Sequence, residues 1–119
     1  MALILKKEDV YLWPVNFSMP VDDGKHQKVD FKCKFKRIKQ TEVEKYQQKF
    51  STTDLKKMFE AARECAKKVV VGWTDVMDED GNQIDFNEEN LNELLEIPAL
   101  SIAVSTSYVN SLTEAKRKN

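Results

Sequence analysis

Three acids followed by a glycine, Asp78-Glu79-Asp80-Gly81, are the first residues in this chain that could do chemistry. Carboxylates packed ahead of a glycine suggest a calcium loop, in which a sharp turn gathers oxygen ligands around a hard cation. Setting Gly81 at the sixth position of a twelve-residue loop puts Val76 at the first, Gln83 at the eighth and Asn87 at the twelfth. The first and twelfth must supply ligand oxygens and the eighth must be apolar, so three defining positions fail. The stretch therefore reads as a turn around Asp80-Gly81-Asn82, with Val76 and Ile84 on the short extended pieces it joins. No metal and no cofactor is expected.

Other reactive side chains are sparse. His26 is the single histidine and lies beside a loop without a partner at useful spacing. Cys33 and Cys65 are far apart and lack CxxC spacing, which favours two buried reduced thiols over a disulfide or a metal site. The three glycines, Gly24, Gly72 and Gly81, are too scattered to cradle a phosphate. No nucleophile elbow, HExxH or related catalytic signature appears, and an enzyme is not expected.

Charge is the stronger signal. The net charge is −1, so there is no global pull toward nucleic acid or membrane. Yet Lys25, Lys28, Lys32, Lys34, Lys36, Arg37 and Lys39 face only Asp30 over that stretch, whereas every charged residue from Asp75 to Glu96 is acidic. The end is basic again, at Lys116, Arg117 and Lys118. Separated poles suit self-association or a partner with poles of its own. Lys32, Lys34, Lys36 and Arg37 on one side, and Asp78, Glu79 and Asp80 on the other, are the candidate partner-binding residues. Nucleic acid is not expected as a partner. Phe31 and Phe35 alternate with the lysines and face away from them, and the acidic half would repel a phosphate backbone.

These residues need elements to hold them. In 119 residues, 41% hydrophobic and 33% charged, a single globular domain spanning 1–119 is expected. The opening MALILKK is too short, and its lysines are on the wrong side, for a signal peptide. No apolar run approaches the length of about eighteen residues that a membrane helix needs. YLWPVNFSMPV (11–21) alternates strictly, with Tyr11, Trp13, Val15, Phe17, Met19 and Val21 on one face, and its two prolines predict an edge strand. VDFKCKF (29–35) alternates again, apolar residues inward and lysines outward, which predicts a lysine-blunted exposed hairpin. Both strands keep their apolar residues on odd numbers, so the loop between them must hold an odd number of residues, with Gly24 at positive φ.

The remainder, 41–115, reads as mainly helical. Thr41-Glu-Val-Glu44 predicts a capping box, with Val43, Tyr46 and Phe50 following, and Ser51 or Thr53 is expected to cap a second helix. Leu55, Met58, Phe59, Ala62, Cys65, Ala66 and Val69 would line that helix, with Gly72 at its end. Asn87 should cap a third helix bearing Leu91, Leu94 and Leu95. Pro98 should begin a fourth, with Leu100, Ala103, Val104, Tyr108 and Leu112 as its stripe. Trp73, Val76, Ile84 and Phe86 are assigned to the core. The fold class is α+β: a long N-terminal β-hairpin over 1–38, then about four α-helices.

The stretch VVVGWTDVMDEDGNQIDFNEENLNELLE resembles the recurring centre of tail assembly chaperones from long-tailed bacteriophages. The resemblance is carried by Val70, Gly72, Trp73, Val76, Asp78, Glu79, Gly81, Ile84, Phe86, Glu89, Asn90, Leu94 and Leu95. It implies a non-enzymatic protein of the host cytoplasm that coats the tape measure protein and recruits major tail (tube) subunits, self-associates, and is absent from the mature virion. It also implies a shorter product made beside a frameshifted, extended one; Arg117-Lys118-Asn119 can be encoded AGA AAA AAC, which contains a slippery heptamer. The alternative is a small cytoplasmic adaptor domain, with a nucleic-acid-binding regulator behind it.

Overall fold

The structure is a computed structural model that describes residues 1–6 and 9–113. The basic end and the last residues of the expected fourth helix lie outside them. Strand β1 (Val10–Val21) turns through a single 3-10 turn (Asp22–Gly24) into β2 (Lys25–Lys36). Two helices follow, α1 (Gln40–Phe50) and α2 (Leu55–Val69), then a third strand β3 (Val70–Thr74) and helices α3 (Glu88–Leu95) and α4 (Leu100–Ser111). The sheet order is β1-β2-β3, antiparallel throughout, which gives the expected α+β arrangement.

The hairpin has the expected parity. Pairs run from Val10↔Lys36 to Val21↔Lys25, and a three-residue loop closes the ladder with Gly24 at φ 70°. Val15, Phe17, Phe31, Cys33 and Phe35 are buried on the inner face, while Asn16, Ser18, Lys28, Asp30, Lys32 and Lys34 are exposed on the outer. β1 is an edge strand. Pro14 and Pro20 sit opposite Lys32 and His26 in an unbroken ladder, which requires their nitrogens to face away from β2.

The third strand corrects the sequence reading. α2 stops at Val69 and runs without a loop into β3, so Gly72 is a strand residue opposite Lys34 and not a helix terminator. Three successive valines favour the pleated, half-buried surface over another helical turn. Gly72 has a packing role, because a Cβ there would meet Lys34 Cβ at 3.3 Å. Lys34 pairs with Gly72 but Phe35 pairs with Val70, so Val71 is bulged out of the ladder and exposed. With β3 in place, β2 is the central strand. Lys32 and Lys34 therefore cover the middle of a sheet and do not blunt an edge, whereas Lys25 and Lys28 lie on the half of β2 that β3 does not reach.

The helix starts also differ from expectation. α1 begins one residue before Thr41, with Lys39 at its N-cap, so Thr41 already has helical geometry and cannot cap. Asp54, not Ser51 or Thr53, caps α2, its carboxylate accepting from the Lys56 and Lys57 amides. Ser51 instead closes α1, its hydroxyl donating to the Gln47 carbonyl. Asn87 caps α3 as expected, with Oδ1 2.8 Å from the Asn90 amide. Pro98 does not begin α4. It occupies a reverse turn in which the Leu100 amide donates to the Ile97 carbonyl, with Ala99 at φ 67° and ψ −5°. Those angles at the third residue, after a proline, are those of a type II turn.

The core sits between the inner face of the sheet and α4, which packs on β1 on one side and on α2 on the other. A helix enclosed on two sides needs apolar or small residues around most of its circumference. Accordingly Leu100, Ser101, Val104, Ser105 and Tyr108 are all buried. The Ser105 hydroxyl donates to the Ala62 carbonyl at 2.9 Å. Tyr108 ties the strand-to-helix crossover: its hydroxyl donates to the Lys36 carbonyl at 3.0 Å and accepts from the Ile38 amide at 3.2 Å. Leu55 and Leu112 were expected in these stripes but are exposed, Leu55 as the first residue of α2 and Leu112 as the residue that follows α4.

Candidate partner-binding surfaces

The outer face of the sheet carries no helix. Lys28, Lys32 and Lys34 are exposed there and Lys36 is half-buried, each pointing the same way because strand residues two apart share a face. Among the described residues none of these lysines has an ion-pair partner. The cross-strand neighbours are Val10 opposite Lys36, Leu12 opposite Lys34, and Pro14 opposite Lys32. The basic row is thus bordered by an aliphatic row on β1, and by Gly72 and Thr74 on β3.

Arg37 does not join that row. Its guanidinium pairs with the Asp9 carboxylate and lies 4.6 Å from the centre of the Tyr11 ring. The Arg37 amide also donates to the Asp9 carbonyl. These contacts clamp the entry to β1 against the exit of β2, giving Arg37 a structural duty that charge counting could not distinguish from binding.

The acidic residues are held in a small hairpin-like turn. Met77 bridges Gln83, the Ile84 amide donates to the Val76 carbonyl at 2.9 Å, and Gly81 has φ 81°. Asp78 builds the turn, its Oδ1 accepting from the Asp80 and Asn82 amides at 2.9 and 3.0 Å. Glu79 and Asp80 are exposed beside it, and Glu88, Glu89 and Glu93 continue the negative surface along α3, while Glu96 at its end pairs with Arg63 at 3.6 Å. Among the described residues no group of three His, Cys, Asp or Glu side chains is placed to hold a metal ion.

The base of this turn is pinned by Trp73. Its indole donates to the Ile84 carbonyl at 2.8 Å, and its ring meets Phe86 edge-on with centroids 5.0 Å apart. Trp73 and Val76 are half-buried against the main core and Ile84 is half-buried, but Phe86 is exposed and forms a flank of this small aromatic pair. It does not enter the core as expected. Phe86 sits on the linker into α3, where its ring packs edge-on against Trp73.

The thiols are buried and free. Burial pushes Cys33 up to about 12 and Cys65 up to about 11, the latter offset in part by a hydrogen bond with Ser105. Groups held this far from the thiolate are poor nucleophiles. His26 is exposed at the hairpin tip opposite Pro20. No helix among the described residues is long and apolar enough to cross a membrane. What the arrangement offers is two oppositely charged surfaces on different elements, one on an open sheet face and one on a braced turn and helix.

Sequence reasoning missed one feature of these surfaces. Leu3, Ile4 and Leu5 are 89%, 71% and 91% exposed, and they precede the edge strand whose Val10 and Leu12 are also exposed. The signal was visible as the apolar run Leu3-Ile4-Leu5 in the opening MALILKK.

The sequence profile of the phage tail assembly chaperones matches residues 1–119, the whole chain. No curated protein sequence and no solved structure matches it. The chain belongs to the phage tail assembly chaperone family, which is not an enzyme family and whose partners are proteins of the tail.

Proposed function

We propose that this chaperone binds the tape measure protein of its phage and recruits major tail (tube) subunits to it in the host cytoplasm. It acts by binding alone and leaves the particle before the virion matures. The observation that carries the reading is the separation of charge onto two held surfaces. Lys32, Lys34 and Lys36 stand on the open sheet face, and Asp78, Glu79 and Asp80 stand on the turn braced by Trp73. Two surfaces of opposite sign let one protein hold two different partners, or a partner and a second copy, without competition. Both are presented from rigid hydrogen-bonded elements, which lowers the ordering cost of binding.

Co-expression with the tape measure and tube proteins, followed by affinity capture, tests this. The wild-type chain should retain both. Charge reversal at Lys32, Lys34 and Lys36 should release one partner, and reversal at Glu79 and Asp80 the other. Capture of neither protein by the wild-type chain rejects the reading. The shorter-product reading has its own check in the gene. Codons other than AGA AAA AAC at Arg117-Lys118-Asn119, with no slippery site nearby, dismiss frameshifting at this position.

A further inference from the structure

The open sheet face is more than a basic patch. Its cross-strand register gives three rungs, each pairing an aliphatic side chain with a lysine: Val10/Lys36, Leu12/Lys34 and Pro14/Lys32. Val10 and Leu12 are 41% and 49% exposed. Beyond the Val10 rung, in chain order, lies the exposed arm of Leu3, Ile4 and Leu5. An apolar row of this kind, bordered by cations without an ion-pair partner among the described residues, marks an interaction site.

We propose that the outer face of β1 and β2, with the apolar arm at its end, docks an amphipathic helix of a partner protein that carries a row of carboxylates beside a row of aliphatic residues. The proposal rests on reading the lysine face as a partner surface, and it names the chemistry of that partner. Rungs two residues apart along a strand repeat every ~6.8 Å. Carboxylates at every fourth residue of a helix repeat every ~6 Å, close enough for three successive pairings over about nine residues. Aliphatic residues placed three positions after each carboxylate fall on the adjacent stripe and meet Val10, Leu12 and Pro14.

Strand addition is the obvious rival and the edge disfavours it. The outward positions of β1 are Val10, Leu12, Pro14, Asn16, Ser18 and Pro20, and the two prolines have no N–H to offer an added strand. A single-stranded nucleic acid would need aromatic platforms beside the lysines. Phe31 and Phe35 are buried on the opposite face.

The probe is a fluorescein-labelled helical peptide of about sixteen residues with Glu at every fourth position and Leu three positions after each, read by anisotropy. A second peptide with Lys for Glu is the control. The wild-type chain should bind the acidic peptide saturably and not the basic one, with affinity falling as salt rises from about 50 to about 300 mM. Lys32→Glu with Lys34→Glu should weaken binding at least about tenfold, and Leu12→Ser or Leu3→Ser with Ile4→Ser by about three- to tenfold. These residues are exposed, so the variants should melt like the wild type. Equal binding of both peptides, or binding indifferent to the lysine reversals, overturns the proposal. So does binding to anionic phosphatidylglycerol vesicles with none to the peptide, or concentration-dependent self-association lost in Lys32→Glu/Lys34→Glu while the peptide never binds. Failure here with intact capture of the tail proteins leaves the chaperone reading standing. Loss of capture with intact peptide binding does the reverse.

Discussion

Replacing Tyr108 with Phe should destabilise the protein through two backbone groups rather than through packing. The ring, which is 1% exposed and meets Phe35 edge-on at 5.1 Å, keeps its place. Only the hydroxyl is lost, and with it the partner of the Lys36 carbonyl and of the Ile38 amide. Both lie where β2 gives way to α1, in a segment that neither the sheet nor a helix can satisfy. Each such bond contributes about 0.5–1.5 kcal/mol net, and a backbone group left buried without a partner costs ~1–3 kcal/mol. Lys36 and Ile38 are half-buried, so water reaches part of the gap and the lower end applies. The expected loss is about 1–3 kcal/mol, which for a chain of this length lowers Tm by roughly 4–12 °C. Urea unfolding followed by circular dichroism measures it, with an unchanged m-value showing that the native state stays compact. A loss below about 0.5 kcal/mol, within the range of an ordinary surface substitution, would refute the bridging role.

Ala99→Gly should raise stability by about 0.5 kcal/mol, because relief of a left-handed alanine (~1–2 kcal/mol) exceeds the added entropy of glycine in the unfolded chain; a lower urea midpoint would contradict the type II turn. Asn87→Ala removes the cap of α3 and should cost about 1 kcal/mol, seen also as faster amide exchange at Asn90, whereas unchanged exchange there would argue against the cap. Stability should decline at alkaline pH. Cys33 and Cys65 rise from an ordinary 9.0 to about 12 and about 11 on folding. The stabilising contribution is therefore full below pH about 9 and is lost as pH climbs through the folded values, with a slope near 1.4 kcal/mol per pH unit for each thiol. Cys33→Ala should flatten this decline, and an equally steep decline in that variant excludes Cys33 as a cause.

Much of the fold was legible because it depends on local periodicity. The alternation in 11–21 and 29–35 dictated two strands, and the odd numbering of their apolar residues dictated an odd loop. The hairpin formed with three loop residues and Gly24 at positive φ. Asn87 and the turn at Gly81 were equally readable, since a cap and a tight turn are set by a few neighbouring residues. The cap of α1 is not legible because its N-cap is Lys39, with no side-chain cap, and that of α2 because Ser51, Thr53 and Asp54 lie within one turn of each other. Which one serves is decided by where the preceding element releases the chain. Of the candidate surface, the lysine row was legible, but the duty of Arg37 as a clamp on Asp9 and Tyr11 was not, because both contacts are remote in sequence.

By itself the sequence determined the hairpin and the parity of its loop, the helical remainder, the opposite charge of its two regions and the family resemblance. All of these follow from residue types at fixed short spacings. Only the tertiary structure decided that Val70–Thr74 leaves the helix to pair with β2, since a valine run gains from strand pairing only when a partner edge is within reach. That one pairing moves Lys32 and Lys34 from an expected edge to the centre of an open face, and sets Leu12 and Gly72 on either side of Lys34. Charge was written in the chain, but the shape of the surface that presents it came from contacts between residues some forty positions apart.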